Sequence, residues 1–489
     1  MSLFVKKPLA TLLSESREEG QHSLSRRISS TGLVLLGIGA IIGAGLFVRT
    51  ADAAAFHAGP GVTISFVVAA IGCALAGLCY AEFASMIPIS GSAYTYSYAT
   101  MGQFIAWIIG WDLVLEYALG AATVSIAWSE YLNKFLEQFI GQDWTIPYAW
   151  CHSPFQVSPA GEHGIVNLPA LLILLLLTMV LIRGIRESAA VNSIIVVVKV
   201  VIVILFIALG WSFINPANHA PFIPPVSEYT NSLGLTRQFG GWGGILAGAG
   251  IVFFAFIGFD AVSTAAQETI NPKRALPIGI LGSLVICTAL YILFSYVLTG
   301  IAHYTDFRVA GKEASVTYAI EQYMAGYGWL AKFITLAILF GFSSVILVML
   351  LGQSRVFYSM SRDGLVPSIF SEVHAKFRTP WKSNILFLFF VGAFAAFVPG
   401  EVVGDMTSIG ALFAFILVCI GVIIMRKKEP DAPRAFKTPL VPFVPILGAV
   451  VCGAMIVGLG WANWSRLGIW LLIGLVIYFG YSRRHAVIK

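Results

Sequence analysis

Charge is what this chain of 489 residues has least of. Asp, Glu, Lys and Arg make up 11% of it and hydrophobic residues 58%, whereas a soluble domain carries roughly a quarter charged residues. So much apolar surface cannot be hidden in one globular core, and lipid must cover a large part of it. The same composition excludes disorder, except over the first ~25 residues, which are polar and charged. Cysteine is sparse as well. Cys73, Cys79, Cys287, Cys419 and Cys452 lie inside apolar runs, and only Cys151 sits in a polar loop. One loop cysteine builds no disulfide framework, and no CxxC spacing suggests zinc; a bond from Cys151 to a partner chain is the disulfide left open. The opening MSLFVKKPLATLLSESREEG lacks an apolar stretch with a small-residue cleavage site, so the first helix is expected to serve as an uncleaved insertion signal. HExxH, GxxxxGK[ST] and GxSxG are all missing. The eight histidines fall mainly in loops or near the chain ends, which gives a membrane enzyme with a buried metal little support.

What is present is a series of long apolar runs. Crossing ~30 Å of hydrocarbon takes about 20 residues. Runs that reach this scale lie at 32–50, 61–87, 103–133, 165–184, 189–214, 241–266, 277–301, 326–358, 384–399, 402–426, 441–461 and 466–482. Lipid offers no partner to an open backbone, so the runs are expected to be helices. Basic residues give the orientation. With the N-terminus inside, the inner segments hold 22 of the 30 Lys and Arg, and seven fall outside: Arg49, Lys134, Arg237, Arg308, Lys312, Lys332 and Arg466. The bias puts both termini in the cytoplasm. It also explains the net charge of +6 by topology, without a nucleic-acid partner.

Two of the runs are rich in glycine at corresponding places. The first contains GIGAIIGAGLF, with Gly37, Gly39, Gly43 and Gly45; the sixth contains GWGGILAGAGIVFFAFIGFDAV. Each glycine costs a helix up to ~1 kcal/mol. Interrupted helices in matching positions of two halves point to an inverted-repeat transporter, whose unwound segments offer free amides and carbonyls to a ligand. Amides at a half-helix N-terminus suit a carboxylate. The competing interpretation is close helix packing, which Gly39-x-x-x-Gly43 also fits.

Ionisable residues inside the membrane cost at least ~2.5–3.5 kcal/mol near a helix centre, so each calls for a partner or a role. Glu116 is 13 residues into the third run, roughly 20 Å, and Lys199 is 10 residues into the fifth, roughly 15 Å. Asp260 lies about six residues from the inner end of the sixth. Lys199 is a candidate proton carrier, since an amine in low dielectric can shed and regain its proton as a site opens to each side. The alternative is a fixed Glu116–Lys199 ion pair that orders the bundle. Asp112 is expected near the inner interface. Glu82, at the inner end of its run, is expected to act in a gate or in structure rather than on a ligand.

Taken in order, GIGAIIGAGLFV, YAEFASMIPISGSAYTYSYATMG, GWDLVLEY, FFAFIGFDAVSTAAQE, NPKRALPIGI and SRDGLVPS resemble the amino acid–polyamine–cation (APC) superfamily, above all its cationic amino acid transporter branch, over residues 26–440. The resemblance implies an all-α membrane protein of about twelve transmembrane helices, in a leucine-transporter-like five-plus-five inverted repeat with two extra helices. It divides the chain into a cytoplasmic segment 1–25, a transporter core 26–426 with repeats at 32–214 and 241–426, and two added helices with a cytoplasmic C-terminus at 427–489. It also implies where the substrate binds. Its carboxylate would meet N–H groups of Gly43, Ala44 and Gly45, and its ammonium the carbonyls of Ile41, Phe254, Ala255 and Ile257. Lys199 corresponds to the lysine that stands in for sodium, and Glu116 and Asp260 match acidic residues of the branch. Many relatives carry Thr or Ser where this chain has Ala44, so a hydroxyl contact is lost. Ser344, in GFSSVI, matches a position facing the substrate side chain, where a small residue leaves room for a long cationic one. Ser343 and Ser344 could equally bond back to their own helix.

The expected function is secondary active uptake of L-amino acids, cationic or of broad range, coupled to H+ and working by alternating access from the cell membrane. No cofactor or metal is expected. A proton-independent exchanger and an amino-acid-sensing transceptor remain alternatives. A small accessory membrane protein or a homo-oligomer is left open.

Overall fold

The computed structural model describes residues 4–8, 28–87, 92–158, 160–184, 189–230, 236–266, 269–308 and 315–488. Most of the segment 1–25 lies outside the described residues. So do Arg17, Arg26, Arg27, Arg186, Lys312 and Lys489 of the charge bias and residues 88–91 and 267–268 of the quoted blocks.

Every apolar run of the sequence is helical. Helix α1 (Ser30–Ile41) stops at residues 42–44, and the chain resumes as short π and α turns from 45 to 58. Gly59, at φ +59°, turns it into α2 (Val62–Met86). There follow α3 (Ser92–Thr100), α4 (Gln103–Phe139), α5 (Leu168–Arg183) and α6 (Ala189–Gly210). A two-stranded antiparallel hairpin, β1 (Ser227–Thr230) with β2 (Thr236–Phe239), pairs Ser227 with Phe239. Next come α7 (Gly241–Val252), which tightens into the 3-10 turn Phe253–Phe256, the short α8 (Ala261–Thr264), and α9 (Pro272–Ile301). The chain ends with α10 (Ser315–Tyr323), α11 (Gly328–Arg362), α12 (Trp381–Phe397), α13 (Gly400–Lys428), α14 (Phe443–Gly458) and α15 (Trp461–Ile477). Among the described residues, eight helical stretches are long and apolar enough to cross a membrane, and α1, α5, α12 and α14 are shorter apolar helices.

The differences from the sequence reading have local causes. The third run reaches Phe139 rather than 133, because the polar turn is still helical: Lys134 pairs with Glu137 at 3.0 Å and with Glu321 at 2.7 Å. Gly141 ends it at φ +132°, its N–H donating to Leu136 O at 2.9 Å. The seventh begins at Pro272, where a missing N–H costs nothing. Helices α3 and α10 and the hairpin carry too few apolar residues to register as spans.

The last two helices join the core. Helix α14 packs on α13, α2 and α7. Helix α15 is fastened to α4 by reciprocal tryptophans: Trp111 Nε1 donates to Trp470 O at 2.8 Å and Trp470 Nε1 to Trp111 O at 3.1 Å, with the rings stacked 4.5 Å apart. A side chain at Gly474 would meet Trp111 at 2.4 Å, so only glycine admits this contact.

Both ends of the described chain meet at one face, called inner here. Lys7 N donates to Tyr98 O at 3.3 Å and Gln103 N to Val5 O at 2.8 Å. The Lys7 ammonium bonds Asp363 at 3.0 Å, and Val487 N donates to Asp363 O at 3.1 Å.

Cys151 is buried in the loop after α4, its sulfur 3.7 Å from both Asn133 Nδ2 and Ile146 O. Burial pushes its thiol up to about 12. At pH 7.5 the thiolate is then roughly one part in thirty thousand. Maleimide should label Cys151 at least ~100-fold more slowly than a cysteine placed at exposed Glu162 in a Cys151→Ser background; equal rates would show that the loop opens freely enough to bond a partner.

Candidate functional site

The first and sixth helices break where they touch. At the first break Ile42 turns extended, at ψ 103°, and the N–H groups of Leu46 and Phe47 both return to Gly43 O, at 3.1 and 3.4 Å. At the second, Ile257 is extended at ψ 135° and Gly258 takes φ +115°. Each break carries a glycine pressed on the backbone of the other. A Cβ on Gly45 would sit 2.2 Å from Ala255 Cα, and one on Gly258 would sit 2.9 Å from Ala40 O. The glycines are therefore there for contact at the crossing, as the packing interpretation of the sequence has it. Gly37, further in, is pressed on a side chain instead, and a Cβ there would lie 2.5 Å from Ser283 Oγ of α9.

Tyr291, on α9, ties the two breaks. Its hydroxyl lies 2.9 Å from both Ile41 O and Ala255 O. A hydroxyl has one proton, so it donates to one carbonyl at a time. Phe254 O accepts from Ile257 N at 3.3 Å. Phe254 O thus holds one protein donor, Ile41 O and Ala255 O share one between them, and each of the three keeps a lone pair for an ammonium. Ile41, Gly43, Ala44, Gly45, Phe254, Ala255 and Ile257 are all buried around this crossing. On α11, Val345 approaches Gly43, with 3.3 Å between Val345 Cγ2 and a Cβ built on that glycine. Ser344 is its buried neighbour in the chain, and Ser343 bonds back to Leu339 O at 2.9 Å.

Lys199 reaches the same break from α6. It is only 2% exposed, and its ammonium donates to Gly39 O and Ile42 O, both at 3.0 Å. These carbonyls flank the point where α1 ends, and the missing helical bonds leave them free to accept. Glu116 faces elsewhere. Its carboxyl lies against that of Asp260, with Asp112 one turn away on α4. The Glu116–Lys199 ion pair weighed above is therefore not formed: similar depth in two helices does not put two side chains on facing sides. Asp260 is also bonded by the Tyr117 hydroxyl and, at 3.4 Å, by Ser92 Oγ. Asp112 is buried, and among the described residues neither of its oxygens has a hydrogen-bond partner.

Two further clusters flank the crossing. Toward the outer end, the buried Arg49 bonds Asp405 of α13 and, at 3.3 Å, Asp52. Asn463 of α15 donates to the other oxygen of Asp405 at 3.1 Å, and Arg466 donates to Asn463 Oδ1 at 2.6 Å. At the inner end Arg426 grips Glu82 with two bonds, at 2.7 and 2.9 Å. Arg434 and the Thr438 N–H complete the clamp at 3.1 and 2.8 Å, so Glu82 holds the α13–α14 connection. Sequence reasoning did not single out Arg49, Asp405, Tyr117 or Tyr291. Arg49 and Asp405 had a signal, since opposite charges at the end of one apolar run and inside another call for each other.

Broken helices that meet inside an apolar bundle, with a buried ammonium on the carbonyls of one break, are the arrangement of a multi-pass membrane protein. Comparison of the sequence with known proteins gives the family. A family model described as "Amino acid permease" matches residues 28–479, and the chain belongs to that family. It is 45% identical to the branched-chain amino acid permease BcaP of Bacillus subtilis (strain 168), over 99% of this chain and 98% of that one. It is 40% identical to the methylthioribose transporter of the same organism, over 100% and 99%. It is 34% identical to cationic amino acid transporter 4, vacuolar, of Arabidopsis thaliana, over 85% of this chain and 66% of that one. These relatives are permeases and transporters, not enzymes.

Proposed function

We propose that the protein is a secondary active transporter that takes up L-amino acids with H+ by alternating access. It works in the cell membrane, with about twelve spans in a five-plus-five inverted repeat plus two helices, and both termini cytoplasmic. The observation that carries this reading is Lys199, whose ammonium is held by the two carbonyls at the end of α1, at 3.0 Å each. A group placed there links its own charge state to the shape of the break. When protonated it caps the open carbonyls; when neutral it has fewer donors and releases them more readily. The substrate carboxylate is assigned to the amides of Gly43, Ala44 and Gly45, and its ammonium to the spare lone pairs of Ile41, Phe254, Ala255 and Ile257. Glu116 and Asp260, neighbouring buried carboxyls beside Tyr117, are the candidate relay.

On the side chain of the substrate two readings stand. Phe254, Ile257 and Val345 near the crossing, with the branched-chain permease relative, favour an aliphatic amino acid. Ser344 and the cationic relative favour a longer basic one. A thermal-shift screen of the common amino acids in detergent separates them. Purified protein in proteoliposomes, given an inward proton gradient, should accumulate the amino acid found. Absence of uptake for every amino acid would sink the reading. Lys199→Met should lose at least ~10-fold of the gradient-driven accumulation, the loss of two hydrogen bonds from a charged donor being worth more than one factor of ten. Gradient-driven uptake at the normal level in that variant would remove the coupling role and leave transport standing. Counterflow without net uptake in the unaltered protein would favour an exchanger, and binding without flux a transceptor.

A further inference from the structure

Lys199 reaches the break by a particular route, and one residue on α11 makes that route possible. A Cβ built on Gly341 would lie 2.5 Å from Lys199 Cε, 3.3 Å from Cδ and 3.4 Å from Cγ. The lysine stem thus lies flat across bare backbone at Gly341 before its ammonium meets Gly39 O and Ile42 O. We propose that Gly341 is a positioning residue for the Lys199 ammonium: the absent side chain is the channel along which the lysine spans from α6 to the first break.

A methyl group at 341 cannot be absorbed where it is, since 2.5 Å is far inside van der Waals contact. The atoms it meets belong to a flexible side chain, so the stem moves before either helix does. The displaced ammonium has nowhere good to go. The narrow space beside it is lined by Ile42, Phe47, Ile202, Ala337, Ile338 and Phe342, all apolar, and has no room for water. From α9 the Cys287 thiol is the neighbouring titratable group, while Tyr291 one turn on is engaged with Ile41 O and Ala255 O. No titratable group comes from α11 among the residues lining that space. The ammonium therefore either stays on a strained path or leaves a carbonyl.

The proposal rests on Lys199 as the coupling group, so the test includes a measurement that does not. Gly341→Ala, Lys199→Ala and the double variant are compared in two ways. In proteoliposomes, Gly341→Ala should keep substrate counterflow and lose gradient-driven accumulation by about tenfold, the size set by one hydrogen bond to a charged group. Its uptake should lose pH dependence as Lys199→Ala does, and the double variant should be no worse than Lys199→Ala alone. In detergent, Gly341→Ala should lower the melting temperature when Lys199 is present and leave it unchanged or raised in the Lys199→Ala background, where the methyl group has space. Equal destabilisation in both backgrounds overturns the proposal, whatever transport shows. Normal accumulation and pH profile in Gly341→Ala, while Lys199→Ala is impaired, also overturn it. If Lys199→Ala itself transports like the unaltered protein but the stability cycle couples, the coupling reading falls and the positioning stands.

Discussion

Gly45→Ala should abolish amino-acid uptake. The added carbon would stand 2.2 Å from Ala255 Cα and 2.6 Å from Ala255 N and Cβ, so it meets the backbone of the opposite break and not a side chain that can rotate away. Relief requires the first and sixth helices to part by about an ångström at their crossing, and a misplacement of that size costs on the order of 100-fold at a site built on alignment. Overpacking also costs roughly 1–3 kcal/mol of stability, so the variant should fold but melt lower. Gly453→Ala on α14, where a new Cβ has nothing within 4 Å, is the matched control and should transport normally. Uptake by Gly45→Ala at a third or more of the normal rate would mean that the breaks are looser than their contact implies.

The second large effect is on stability. Arg49→Met removes the cation from Asp405 and leaves a carboxylate that is buried and still bonded to Asn463. Stripping one partner from a buried pair costs about 3–5 kcal/mol, because the remaining charge is uncompensated. Arg49→Met/Asp405→Leu should therefore be more stable than Arg49→Met alone, as removing both charges avoids that penalty. Thermal unfolding of the two variants and the parent decides it; a double variant less stable than either single one would mean that the pair is not the principal bond at this point. The same guanidinium holds the outer part of the first helix to α13, so Arg49→Met should also favour the arrangement open to the outside, read as faster modification of a cysteine placed near the crossing.

The helices were legible in the sequence because lipid imposes one rule on every span: about 20 apolar residues and no unpaired backbone. The interruptions were legible because glycine is expensive inside a helix and is repeated at Gly43, Gly45 and Gly258 only where something requires it. Facing was not legible. Counting residues put Glu116 and Lys199 at similar depth, but whether two side chains on different helices meet depends on rotation about each axis, and that is fixed by the packing of all the neighbours. So Glu116 turned out to face Asp260 and Lys199 the α1 carbonyls. Tyr291 was hidden for a different reason: a tyrosine in an apolar run is unremarkable until its hydroxyl is seen between two broken helices. The Arg49–Asp405 pair lay between those cases, visible as two charges and unassigned for want of a distance.

The docking of both chain ends at Asp363 also fixes an order of assembly. Lys7 leaves the ribosome 356 residues before the carboxylate it bonds, an interval of roughly 20–70 s at about 5–20 residues per second. Its other partners are much closer in the chain: Tyr98 O and, through Val5, the Gln103 amide are available early. The N-terminal residues can thus be laid along α3 and the start of α4 while most of the bundle is still being inserted. They become fixed only when α11 arrives, and Val487 closes the same loop last of all.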